Sequence, residues 1–70
     1  MERQPVSSSN IASVGYKSDS ETLEIEFLKN GAVYEYYNVP QLIYDQMMQS
    51  ASIGQFFNSD IKNSYACSQI

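Results

Sequence analysis

Residues 34–37 read Tyr-Glu-Tyr-Tyr, and upstream of them Glu24 and Glu26 alternate with Leu23, Ile25 and Phe27. Such a density of rings and carboxylates could serve two chemistries. Exposed tyrosines can stack on bases when neighbouring cations hold the phosphates. Carboxylates forced together can share a proton and work as an acid and a base. The cations for the first are few: Arg3, Lys17, Lys29 and Lys62, scattered along a chain of net charge −4. The second lacks its usual partner, because the chain has no histidine, the commonest general base.

Other chemistries have less to work with. A zinc cluster of Cys and His cannot be built, and the single Cys67 cannot pair within the chain or find a histidine to activate it. Ser18-Asp19-Ser20-Glu21 carries two acids without the spacing of a calcium loop, and reads as turn chemistry. Gly54 lacks the second glycine and the Lys-Ser/Thr of a phosphate loop, so it predicts a close contact between a helix and the sheet. No catalytic, cofactor-binding or metal-binding residue is expected, and no enzyme.

The elements that position the rings follow from period and punctuation. Seventy residues allow one small domain, with a core that six Tyr and three Phe must largely fill. Residues 1–9 are polar and contain Pro5, and are expected to be a flexible lead-in; 67–70 are expected to fray; 10–66 form the domain. Ile11, Val14 and Tyr16 do not share one parity, which predicts a first strand with a bulge at Ala12 or Gly15. Leu23–Phe27 alternates as a half-buried strand. Asn30-Gly31 predicts a two-residue type I′ hairpin, with Phe27 opposite Tyr34, Ile25 opposite Tyr36, Glu26 opposite Glu35 and Glu24 opposite Tyr37. Tyr34 and Tyr36 then face the core with Ile25 and Phe27, while Glu24, Glu26, Glu35 and Tyr37 face water; Leu28, Val33 and Val39 share that outward parity. Pro40 opens a helix with Tyr44, Met47, Met48 and Ala51 on one stripe, and Ser52 with Gln55 has the spacing of a capping box for a second helix. The expected fold is α+β, order β-β-β-α-α: a three-stranded antiparallel sheet with two helices on one face.

These residues resemble a known family. Ser8–Tyr16, Leu23–Phe27, the run from Asn30 through Val39-Pro40, Ala51-Ser52-Ile53-Gly54, and Phe57-Asn58 together are similar to the KTSC domain across roughly residues 7–65. The resemblance implies a small module found free-standing or at the C-terminus of some lysyl-tRNA synthetases. It carries no established activity, and an RNA-binding role is inferred mainly from that association.

The functional expectation is a non-enzymatic interaction module with Tyr37, Glu24, Glu26 and Glu35 as its contact surface. The three glutamates would repel a phosphate backbone, so a protein partner or self-association is favoured. An RNA- or tRNA-associated module using Tyr37, Lys17 and Lys29 is the alternative. The N-terminal stretch has no apolar signal segment and nothing in the sequence is long enough to span a membrane, so a cytoplasmic location is expected.

Overall fold

The computed structural model describes residues 2–70. It shows a five-stranded antiparallel meander in which every strand pairs with its sequence neighbours. The strands are β1 (Gln4–Pro5), β2 (Ile11–Lys17), β3 (Thr22–Phe27), β4 (Val33–Tyr36) and β5 (Cys67–Gln69). Helix α1 (Gln41–Gln49) and helix α2 (Ile53–Phe56), which continues into a π-helical turn (Phe57–Ile61), lie between β4 and β5 in the chain. The α+β class and two helical segments hold, but the sheet has five strands, not three. The two additions come from the segments expected to be flexible lead-in and frayed tail. Neither could be read from pattern, because each is too short and too exposed to show alternation.

The bulge falls at Ala12, where the pairing steps from Ile11↔Phe27 to Ser13↔Glu26. One inserted residue restores common parity to Ile11, Val14 and Tyr16. Ile11 and Val14 are fully buried, and Tyr16 stacks on Tyr44 of α1, centroids 4.6 Å apart. The Tyr16 hydroxyl donates to the Val39 carbonyl at 2.6 Å, pinning β2 to the entry of α1. Burial, with Glu21 and Asp45 nearby, raises the pKa of that phenol.

The β3–β4 hairpin departs from the type I′ expectation. The loop has four residues, Leu28–Gly31, closed by Phe27 N–H donating to the Ala32 carbonyl (2.9 Å) and Gly31 N–H donating to the Phe27 carbonyl (3.0 Å). Gly31 alone in this loop takes positive φ, at 67°. Asn30 instead uses its side chain: Oδ1 accepts from the Ala32 N–H at 3.0 Å, an Asx-type closure that needs no left-handed Asn. The register therefore slides by two residues, to Leu23↔Tyr36, Glu24↔Glu35, Ile25↔Tyr34 and Glu26↔Val33. A slide of two keeps every side chain on its expected face, whereas a slide of one would have exchanged the faces.

The inner face supports the core of Ile11, Val14, Leu23, Ile25, Tyr36, Val39, Met47, Phe57 and Ile61, with Phe27 and Tyr34 half-buried at one end. Val39 was expected to face outward and is instead fully buried. Asn38, at φ 61°, turns the chain just before it, a left-handed conformation that Asn accepts more readily than most residues. Pro40 is the N-cap of α1 rather than its first helical residue, and the Ser52 hydroxyl accepts from Gln55 N–H at 3.2 Å to cap α2. No helix among the described residues is long and apolar enough to cross a membrane.

Candidate functional site

The expected contact face is largely occupied by the protein itself. Pairing of β1 with β2 lays Arg3 across the outer side of the sheet. Its Nη1 forms an ion pair with Glu24 Oε1, its Nε donates to Ser13 Oγ at 3.0 Å, and Ser13 Oγ donates to Glu26 Oε1 at 2.8 Å. Glu24 is 5% exposed, so it is a buried partner of Arg3 and not a solvated acid. Glu35 accepts from the Tyr37 hydroxyl at 3.4 Å, and both are half-buried. Lys17 lies at a shallow hollow shared with Glu2, Glu24 and Glu35, whereas Lys29 lies elsewhere. The six expected residues thus do not form one surface. Residues 2–5, which have no strand signature, bring Arg3 onto Glu24.

Lys29 belongs to a different feature. An open groove of about 570 Å³ runs between the β3–β4 loop, the β4–β5 edge and the π-helical turn. Its apolar wall is a chain of rings in edge-to-face contact: Tyr34 on Phe27 (5.9 Å), Phe27 on Phe57 (5.7 Å), and Phe57 on Tyr36 (5.2 Å). Edge-to-face pairs lock ring orientation, so this wall is preformed. Asn10, Asn30, Asn58 and Asn63 line it together with Lys29 and Lys62. No described Asp or Glu side chain lines it. In a chain with eight acidic and four basic residues, two of the four cations meet where no carboxylate stands.

Local structure explains the convergence. In the π-helical turn, Lys62 N–H donates to the Phe57 carbonyl at 2.9 Å, an i→i+5 bond. The wider turn keeps Phe57 and Ile61 in the core while Asn58 and Lys62 line the groove. Such turns are rare and recur at functional positions. Asn10 is held from the other side. Ser8 Oγ accepts from the backbone N–H of Asn10 and of Ile11, both at 3.3 Å, which directs its own hydrogen to Asn10 Oδ1 at 3.0 Å. Gly54 makes room for this arrangement: a Cβ there would collide with Asn10 Oδ1 and come within 3.1 Å of Ser8 Oγ. The close approach at Gly54 is to the loop before β2 and not, as expected, to the sheet.

Tyr36, opposite Cys67 across β4–β5, forms the floor. Burial first, then the adjoining Cys67 thiol and Tyr34, push its phenol up to about 12. The unfolded chain would lose this proton near 10, so the stability it represents is intact below about pH 10 and is lost as pH rises to about 12. At most this amounts to roughly 2–3 kcal/mol. Tyrosinate absorbance should show a ring titrating at about 12 that is absent in Tyr36→Phe, whose stability should fall less steeply over the same interval.

Lys29, expected as an RNA contact, lines this groove, and of the two tyrosines expected in the core Tyr36 is buried and Tyr34 half-buried. Asn10, Asn58, Lys62 and Asn63 were not singled out together. Phe57-Asn58 and Gly54 were visible as motifs, but their meeting depends on the π-helical turn and the Ser8–Asn10 loop, which carry no periodic signal.

Comparison with known proteins agrees with this architecture. The KTSC domain model matches residues 7–65. A protein of Tsukamurella paurometabola is 39% identical over 59 residues, covering 84% of this chain and 87% of its own. A lysine–tRNA ligase of Trichormus variabilis is 36% identical over 55 residues, 79% of this chain but only 10% of the ligase. The crystal structure of a KTSC domain protein from Yersinia pestis superposes with a TM-score of 0.94 at 43% identity, over 99% of this chain and 96% of that one. The chain belongs to the KTSC domain family.

Proposed function

We propose that this KTSC domain is a non-enzymatic binding module, acting in a reducing compartment compatible with its unpaired Cys67, and that its contact surface is the Lys29–Lys62 groove, occupied by an anionic ligand. One observation carries the reading: a preformed aromatic wall flanked by two lysines and free of carboxylates, in a molecule of net charge −4. Single-strand nucleic-acid sites combine these ingredients, rings for stacking and cations for phosphate. The lysine–tRNA ligases that share this domain over one tenth of their length support an RNA-associated role for it. The outer sheet face lacks such a combination, because its acids are engaged by Arg3, Ser13 and Tyr37.

Anisotropy of a short labelled single-stranded RNA tests the assignment. The wild-type chain should bind at low salt. With two lysines contributing, the slope of log K against log salt should be roughly −1.4, about a sevenfold loss between ~50 and ~200 mM. Lys29→Glu with Lys62→Glu should weaken binding at least tenfold, and Lys17→Glu should change it little. Equal losses from all three lysines would remove the groove from the reading.

The second reading is a protein partner or a second copy of the chain adding a strand to β5. Its support is that β5 is exposed throughout and carries no charge or proline to block edge pairing, whereas β1 carries Pro5. A mass that rises with concentration in light scattering would favour it.

A further inference from the structure

The proposed groove reading leaves open what kind of anion fits, and the hydrogen-bonding state of its two best-anchored amides narrows the choice. Asn30 Oδ1 accepts from Ala32 N–H, and because a backbone N–H can only donate, the amide orientation is fixed. Asn10 Oδ1 accepts from Ser8, whose oxygen is already the acceptor for two backbone N–H groups. Both asparagines therefore commit their oxygen to the protein and leave the NH₂ end free. With the ammonium groups of Lys29 and Lys62, these two amides give the groove four donor groups beside a wall of rings, and Asn58 and Asn63 line it too. Its complement is a ligand with a flat apolar face and a dense set of acceptors.

We infer that the groove takes one nucleotide, with its base packed against the half-buried rings of Phe27 and Tyr34 and its phosphate between Lys29 and Lys62. The inference rests on the anionic-ligand reading above and narrows it to a single unit. Two observations set that limit. A volume of about 570 Å³ lies within the range of small-ligand sites, about 300–1,000 Å³. Apart from Lys29 and Lys62, the rest of the chain carries a formal charge of −6, so phosphates beyond the first meet an opposing field. Asn10 and Asn30 then serve as donors to phosphate or base oxygens, which is why an amide at each position matters more than its size.

Isothermal titration calorimetry of the full chain tests this with a free nucleoside monophosphate, the matching nucleoside, inorganic phosphate, and oligonucleotides of two and six units. The expected result is that the monophosphate binds at least tenfold tighter than the nucleoside or phosphate alone, and that each oligonucleotide gains less than threefold over it. Asn30→Asp keeps the oxygen that closes the loop and replaces the donor with a negative acceptor, so it should weaken the monophosphate at least tenfold while circular dichroism stays unchanged. Lys62→Glu, on an exposed residue, should do the same. Phosphate binding as tightly as the monophosphate would overturn the inference and leave a simple anion site. So would affinity that climbs steadily to the six-unit strand, since that means an extended track. Failure of every anion to bind would remove the groove reading as well.

Discussion

Replacing Phe57 by alanine should remove a large share of the chain's stability at 25 °C. The side chain is 1% exposed and stands at the junction between sheet and π-helical turn, with its ring against both Phe27 and Tyr36. Truncating a buried Phe costs about 3–5 kcal/mol, through lost transfer energy and the cavity left behind. At ~0.05–0.15 kcal/mol per residue, a 70-residue chain has a total of roughly 3.5–10 kcal/mol to lose. No disulfide supplements it, since Cys67 is the single cysteine. Neighbouring side chains cannot collapse into the gap easily, because Phe27 is fixed by Tyr34 and Tyr36 by its strand pairings. Urea unfolding followed by circular dichroism measures the effect. A cost below about 1.5 kcal/mol would mean that Phe57 does not hold the helical layer on the sheet.

Replacing Arg3 by methionine should have the second-largest effect, about 2–3 kcal/mol, although a polar N-terminal stretch gives no hint of it. The aliphatic stem is kept and the guanidinium is lost, leaving Glu24 covered by the sheet and β1 with its ion-pair partner gone. Breaking a buried pair by removing one partner costs about 3–5 kcal/mol, because the remaining charge is stranded. Arg3 is itself 29% exposed, so solvent screens part of the interaction and the expected loss is smaller. The pair differs from its parts: Arg3→Met combined with Glu24→Gln should be more stable than Arg3→Met alone, since the stranded charge is then absent. Equal stability of the single and double variants in urea would show that Arg3 acts only by packing.

The contrast between these two residues indicates what the sequence could reveal. Phe57 was visible as part of the Phe57-Asn58 motif, and Leu23, Ile25 and Tyr36 were legible as core from alternation, because burial imposes a period on long elements. A bulge in β2 was legible from broken parity, but not whether it falls at Ala12 or Gly15. Arg3 was not, because a two-residue strand shows no period and its pairing depends on the position of β2 in space. The hairpin was half legible: Asn-Gly located the turn, but the Asn30 side chain closed a four-residue loop that the two-residue pattern does not describe. The two-residue slide kept the faces correct and the pairs wrong. The groove was the least legible, because Asn10, Lys29 and Lys62 are brought together by a loop, a turn and a π-helical bond rather than by spacing. Family resemblance pointed to Gly54 and Phe57-Asn58, and the geometry supplies a reason for the first: Asn10 occupies the space a side chain at Gly54 would need.

The claim that the groove, and not the outer sheet face, receives the ligand is tested most directly by backbone amide chemical shifts during titration with a short single-stranded RNA at low salt. The account predicts saturable shifts at Asn30, Ala32, Tyr34, Asn58, Lys62 and Asn63, with Ser13, Glu24 and Glu35 unmoved. Shifts confined to Glu24, Glu35 and Tyr37, with Lys62 and Asn63 silent, would contradict it.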